Sequence, residues 1–203
     1  MKTLVVASNN EHKIVEIKQI LEKYELEIKS LKEMNIDIDI VEDGKTFEEN
    51  AEKKARAIYE YLIKQGSSDF IVMADDSGLS VDYLNGEPGV YSARYAGEHG
   101  DDDKNNEKLL NKLQGVPIEK RTAKFVCSIC LIDDKGKVYN SVGEVKGYIT
   151  EKLTGGRGFG YDPLFYYEGF KNTFSNVSIE EKNKISHRAR ALQEVSKILR
   201  DLL

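Results

Sequence analysis

The stretch Phe70-Ile-Val-Met-Ala-Asp-Asp-Ser-Gly-Leu79 constrains this chain more than any other. Apolar residues run straight into two adjacent carboxylates, a hydroxyl and a glycine, the pattern of a buried strand that ends in a turn. In sheets crossed by helices, ligands bind at the loops beyond the carboxyl ends of the strands. Asp75 and Asp76 there repel each other unless something positive sits between them, most simply a divalent metal. The same residue types also favour plain turns, so the rest of the chain has to decide.

With 203 residues and 40% hydrophobic content, residues 1–203 are expected to form a single α/β domain with a sizeable core. A net charge of −5 argues against a general nucleic-acid binder, which needs a basic face. It leaves room for a small anionic substrate, because local lysines can outweigh the global sign. No apolar run approaches membrane-spanning length, and the apolar start Met1–Ala7 is too short for a signal peptide, so a cytoplasmic location is expected. Cys127 and Cys130 form a lone C-x-x-C inside a strand-like run. Positions three apart on a strand point to opposite faces, so both are expected to be packed core thiols.

Along the chain, Thr3–Ala7 reads as a buried strand that breaks at Ser8-Asn-Asn-Glu-His-Lys13, followed by Ile14, Ile17 and Leu21 at helical spacing. Asn9 or Asn10 can cap that helix. Ile36, Ile38 and Ile40 alternate with Asp37 and Asp39, as in a half-buried strand. Thr46-Phe-Glu-Glu49 has the T-x-x-E capping-box pattern before a stripe of Phe47, Ala51, Ile58 and Leu62, with Gly66 suited to the stop. Leu79–Asp82 reads as a short strand after the turn. Asp101–Gln114 reads as a helix with acidic residues in its first turn. Arg121–Ile132 and Lys137–Thr150 flank a turn at Asp133-Asp-Lys-Gly136, and Leu164–Tyr167 reads as a short strand. Ser178-Ile-Glu-Glu181 is a second capping box before a final helix with Leu192, Val195, Leu199 and Leu202 on its core face.

Several segments could carry chemistry. Ser8–Lys13 lies where a strand meets a helix start, whose free N–H groups and positive dipole end suit phosphate. Ser8 and Asn10 can donate hydrogen bonds there, and Lys13 opposes the helix dipole unless an anion docks beside it. Asn50 and Lys54 are i,i+4 neighbours on the next helix, and Glu42 ends the alternating strand. The glycines of Gly155-Gly-Arg-Gly-Phe-Gly-Tyr-Asp162 let backbone approach a ligand closely. Phe159 and Tyr161 offer flat faces for a base, and Asp162 can accept hydrogen bonds from ring nitrogens. Lys182 and Ser186-His-Arg188 place Lys, His and Arg within two helical turns, and the Arg fork matches acceptors on a purine edge.

Taken together, the chain resembles the inosine triphosphate pyrophosphatase family, the non-standard purine NTP pyrophosphatases. The matching pieces are Ser8–Lys13, Glu42–Ala51 with Lys54, Ala74–Leu79, Pro88–Arg94, Gly158–Pro163 and Ile185–Arg188, in the family's order and over nearly the whole chain. Two departures are small: Ser8 and Asn9 stand where Thr and Gly are usual, and Arg157 precedes Gly158 where many members carry glycine.

The resemblance implies an elongated mixed sheet flanked by helices, with two lobes and a nucleotide cleft between them. It implies a homodimer that hydrolyses ITP, dITP and XTP to the monophosphate and pyrophosphate with Mg²⁺ and keeps deaminated purines out of DNA and RNA. Neither nucleic acid nor membrane is expected as a partner. Asp76 would be the catalytic base, holding Mg²⁺ with Glu42 and Asp75. The substrate-binding set would be Ser8, Asn9, Asn10, Glu11, His12, Lys13, Lys54, Ser77, Phe159, Gly160, Tyr161, Asp162, Lys182, His187 and Arg188. A donor from Lys182, His187 or Arg188 aimed at the 6-keto group of hypoxanthine or xanthine would be left unpaired by adenine. The competing readings are a pyrophosphatase for modified pyrimidine nucleotides, as in the related septum-formation inhibitor family, a nucleotide sensor without turnover, and a structural domain whose motifs are turns and caps only.

Overall fold

The computed structural model describes residues 2–156 and 158–203; Arg157 and Met1, both named above, lie outside the described residues. The strands are β1 Thr3–Val6, β2 Glu27–Ser30, β3 Phe70–Val81, β4 Thr122–Ile132, β5 Val138–Ile149, β6 Phe165–Tyr167 and β7 Asn172–Thr173. Among the described residues they form one open sheet in the order β2-β1-β3-β4-β5-β6-β7. β1 pairs in parallel with β2 and β3, whereas β6 pairs antiparallel with β5 and β7, so the sheet is mixed. The helices are α1 Glu11–Leu21, α2 Phe47–Lys64, α3 Asp102–Lys112, α4 Ile179–Ile185 and α5 His187–Leu202. The α/β class with a mixed, helix-flanked sheet is as the sequence implies. Among the described residues no helix is long and apolar enough to cross a membrane.

The chain forms two compact units. The first comprises the chain through Asp76, Cys127–Gly143 and Arg188–Leu203. Its central strands β1, β3 and β4 are buried on both faces, and their alternate residues separate two apolar layers. Leu4, Val6, Ile71, Met73, Cys127 and Ile129 pack with Ile14, Ile17 and Leu21 of α1 and Leu192, Val195 and Leu199 of α5. Val5, Val72, Ala74, Cys130 and Ile132 pack with Ala51, Ala55, Ile58 and Leu62 of α2. The two cysteines, both free and buried, thus sit in opposite layers, as strand period two requires. The second unit, Ser77–Val126 and Glu144–His187, has its own core of Leu79, Val81, Leu109, Leu113, Phe125, Val145, Phe165 and Phe174.

Three sequence expectations need correction. No turn forms at Asp75-Asp76: β3 runs on through Leu79 to Val81, and no separate strand begins at Leu79. The carboxylates are tolerated inside the strand because each finds buried cationic or amide partners, described below. Residues 36–40 are not a strand, although Ile36, Ile38 and Ile40 do pack on the α2 layer and Asp37 and Asp39 are exposed. Alternating burial is met there without a ladder. The last helix is broken: Ser186 has extended backbone (φ −62°, ψ 161°), so Lys182 lies on α4 while His187 and Arg188 open α5.

The helix caps follow the sequence closely. Asn10 Oδ1 accepts the Lys13 N–H at 3.2 Å, and Thr46 Oγ1 accepts the Glu49 N–H at 3.1 Å. The Glu49 carboxylate accepts from the Lys45 N–H at 2.6 Å, one residue before the position a full capping box would use. Ser178 and Glu181 complete their box reciprocally.

Candidate active site

In the first unit, adjacent residues of β3 face opposite layers. Asp75 points to the α1–α5 side, where Lys13 Nζ lies 2.6 Å from Oδ1 and Arg188 Nε donates to Oδ2 at 2.9 Å. Arg188 also donates to Glu16 of α1, and the Cys127 thiol lies 3.4 Å from Asp75 Oδ2. Arg188, Glu16 and Asp75 are all nearly fully buried. Burial pushes the Asp75 carboxyl up, but Lys13, Arg188 and Lys54 outweigh it and hold it well below the usual carboxylate range. Burial also penalises the Arg188 guanidinium, yet Asp75 and Glu16 keep its pKa above the ordinary value.

Asp76 points to the α2 side. Lys54 Nζ donates to Glu42 Oε2 at 2.8 Å and to the Asp75 carbonyl at 2.9 Å, and stands 3.5 Å from Asp76 Oδ1. Asn50 Nδ2 donates to Asp76 Oδ2 at 3.1 Å, while Asn50 Oδ1 accepts the Gly44 N–H at 2.8 Å. Here burial wins: aided by the Glu42 charge, it raises the Asp76 pKa against the opposing pull of Lys54, Lys13 and Asn50. Lys54 stays a cation, since Asp76, Glu42 and Asp75 together overcome its desolvation and raise its pKa. The repulsion that suggested a cation between Asp75 and Asp76 is therefore relieved separately on the two faces.

Beyond β1 the chain places Ser8–His12 at the exposed or half-exposed start of α1, with Ser8 Oγ accepting the Asn10 N–H at 3.1 Å. The remaining N–H groups of the first helical turn and the Lys13 ammonium present positive potential at that end. Among the described residues no group of three or more His, Cys, Asp and Glu is arranged to hold a metal ion. Glu42 and Asp76 nevertheless converge on one ammonium, and their hard oxygens are the donor type Mg²⁺ takes in ones and twos beside phosphate and water.

The second unit holds the other predicted residues. Ser77 opens its stretch of β3, half buried. The turn Gly158–Asp162 is folded on itself: Asp162 Oδ2 accepts the Phe159 N–H at 3.2 Å and the Lys182 ammonium at 2.6 Å. Gly158 (φ +83°) and Gly160 (φ +61°) take left-handed backbone that other residues rarely adopt, and a Cβ on Gly158 would strike Asp162. Lys182 Nζ sits 4.8 Å over the Phe159 ring. Buried His187 stacks on Phe125, with centroids 4.8 Å apart. The Tyr161 hydroxyl donates to the Ser92 carbonyl at 2.7 Å, and that residue's hydroxyl accepts the Leu79 N–H at 2.9 Å.

The structure thus gathers Lys13, Glu42, Lys54, Asp75, Asp76 and Arg188 in the first unit, and Phe159–Asp162, Lys182 and His187 in the second. Arg188 spends its fork on Asp75 and Glu16. Sequence reasoning missed Glu16 and gave Asn50 no specific role. A glutamate between Ile14 and Ile17, three residues after Lys13 on one helical turn, was the available signal for the first.

A buried carboxylate–lysine cluster beside an exposed helix N-terminus, at the sheet end of an α/β unit, defines a protein built to handle a phosphorylated ligand. The chain belongs to the Ham1 family, whose model matches residues 4–198. It is similar to the dITP/XTP pyrophosphatase of Clostridium perfringens, 57% identical over 203 residues that cover 100% of both chains. The dITP/XTP pyrophosphatase of Bacillus subtilis is 46% identical over 199 residues, covering 98% of each. Among solved structures, the Ham1 protein of Staphylococcus aureus has a TM-score of 0.86 at 42% identity, covering 100% of both chains. A HAM1 protein from Coxiella burnetii has a TM-score of 0.83 at 35% identity, covering 99% of this chain and 100% of its own.

Proposed function

We propose that this protein is a nucleoside-triphosphate pyrophosphatase that hydrolyses dITP, XTP and ITP to the nucleoside monophosphate and pyrophosphate. The observation that carries the reading is the Asp76 constellation: a buried carboxylate of raised pKa, held between Asn50 and Lys54, in a chain similar along its whole length to dITP/XTP pyrophosphatases. Water attacks the α-phosphorus, the bond to the α–β bridging oxygen breaks, and pyrophosphate departs. Asp76 orients that water and takes its proton, a task suited to a carboxylate tuned upward. Its four lone-pair sites exceed the two donors Asn50 and Lys54, so acceptor capacity is left for the water.

Lys13, Lys54 and the positive N-terminal end of α1 bind the phosphates, where charge shifts toward the leaving group. Asp75 acts through Lys13, and Arg188 with Glu16 fixes Asp75, so we assign Arg188 to the buried network rather than to the base. Glu42 and Asp76 would hold Mg²⁺, which when bound neutralises phosphate charge and polarises the scissile bond. The Phe159 face would carry the base, and Lys182 is the donor we assign to the 6-keto oxygen. Removal of deaminated purine triphosphates would keep those bases out of nucleic acid. The family resemblance also implies a homodimer, which sedimentation of the purified protein checks.

The test is Mg²⁺-dependent turnover on ITP, dITP, XTP, ATP and GTP, resolving phosphate from pyrophosphate. Pyrophosphate from the three non-standard purines is expected, with ATP at least about a hundredfold slower, because a donor to the 6-keto oxygen is left unpaired by the adenine amine. GTP shares that oxygen, and its slow turnover is expected from exclusion of its 2-amino group instead. Equal rates on ATP, or orthophosphate as the product, would sink the reading.

A further inference from the structure

We propose that Asp102 and Asn106, on the first turns of α3, are positioning residues that lock the Gly158–Asp162 turn in the shape that receives the purine base. The inference rests on the reading of that turn as a base platform. Both polar groups of one residue are gripped from the same helix: Asp102 Oδ2 accepts the Gly160 N–H at 2.6 Å, and Asn106 Nδ2 donates to the Gly160 carbonyl at 2.8 Å. Gly160 lies between Phe159, whose ring is the proposed stacking face, and Asp162, which holds Lys182. Its left-handed backbone has no Cβ to pack against a wall, so these two hydrogen bonds set its orientation.

The composition of α3 supports a clamp over simple packing. A helix laid on an apolar core is expected to bury an apolar stripe. α3 buries Leu109 but also Asn105 and Asn106, each almost completely. Asn105 binds a second loop in the same manner, with Oδ1 accepting the Ala96 N–H at 2.7 Å and Nδ2 donating to the Ala93 carbonyl at 3.3 Å. Asn106 Oδ1 is buried without a hydrogen-bond partner, a cost that a leucine would not carry. Retaining the carboxamide there makes sense for its donors, which reach Gly160 and the Asp102 carbonyl. The Tyr161 hydroxyl then ties the turn to Ser92, next to the segment that Asn105 holds. One helix thereby fixes two loops that also hold each other, and a pre-set platform binds its ligand without an ordering cost.

The test compares wild type with Asp102→Ala, Asp102→Asn and Asn106→Ala. It measures kcat and KM for ITP, calorimetric affinity for inosine monophosphate, and the exchange rate of the Gly160 amide proton by NMR. Asp102→Ala should raise KM and weaken monophosphate binding about ten- to hundredfold, the span of a lost hydrogen bond to a charged group, with kcat within about twofold. Its Gly160 amide should exchange faster. Asp102→Asn keeps an acceptor oxygen and should recover most of the affinity, which a change in helix stability alone would not do. Two outcomes overturn the proposal: faster exchange at Gly160 with unchanged monophosphate affinity, or Asp102→Asn as damaging as Asp102→Ala. A wild type that binds the monophosphate but turns over no triphosphate would instead count against the hydrolase reading and leave the clamp standing on affinity and exchange.

Discussion

Asp75 and Asp76 are neighbours in one strand, both buried, yet the protein treats them in opposite ways. Asp75 is enclosed by Lys13 and Arg188, with Glu16 behind the arginine, and stays ionised far below the ordinary carboxylate range. Asp76 has a carboxamide, a more distant ammonium and the like charge of Glu42, and its proton affinity rises. Burial is common to both, so it does not decide the role. The partners do: saturation with positive charge holds Asp75 ionised, and partial compensation leaves Asp76 with the raised proton affinity that suits the proposed base.

This contrast can be broken most severely by exchanging the two losses. Asp76→Asn should lower kcat for ITP by about 10²–10⁴, the usual worth of a general base, with KM little changed and the urea midpoint at or above that of wild type. Asp75→Asn should do the reverse in kind. It leaves Arg188 and Lys13 short of a buried counter-charge, and it should destabilise the fold by about 3–5 kcal/mol, read from the shift in that midpoint. If Asp75→Asn is as stable as wild type, the network does not hold the fold.

A pH series sharpens the same point. The folded pKa of Asp75 is depressed, so its stabilisation is present above the unfolded value of about 4 and is lost as pH falls through the lower folded value. That of Asp76 is raised, so ionising it costs stability as pH climbs from about 4 through the higher folded value. Urea midpoints from pH 3 to pH 7, a window of about that span around the unfolded value, should therefore show Asp75→Asn deviating most from wild type at the neutral end. Asp76→Asn should gain on wild type as pH rises. Parallel curves for the two variants would contradict the assignment.

Smaller effects should come from the supports. Asn50→Ala removes the donor to Asp76 Oδ2 and unties the Gly44 backbone, and should cost about tenfold in kcat. Smallest of all, the C-x-x-C should be chemically silent. Burial raises both thiols, Cys130 to about 12, so native protein should resist a thiol-disulfide reagent until urea is added. Rapid labelling of folded protein would show that the strand pair opens.

What could be read from the sequence was local. The caps at Asn10, Thr46 and Ser178, the turn at 133–136 and the opposed cysteines follow from spacing and side-chain chemistry within a few residues. The failures were long-range. Asp-Asp-Ser-Gly signals a turn, and it is held in a strand because Lys13, Lys54, Arg188 and Ser92 arrive from distant segments. Ile36–Ile40 has the alternation of a strand, but a ladder needs a neighbouring edge, which alternation does not encode. The burial of Arg188 against Asp75, 113 residues away, likewise leaves no local trace in the sequence. Glu42, Lys54 and Asp76 were found together from family motifs, whereas Asn106 and Gly160 meet across 54 residues with no motif to join them.

The most direct test of the account is hydrolysis of ITP in oxygen-18 water by wild type and Asp76→Asn, with both products weighed by mass spectrometry. The account predicts one label in the inosine monophosphate and none in pyrophosphate, with turnover collapsing in the folded variant. Label in pyrophosphate, or a variant that keeps the wild-type kcat, would contradict it.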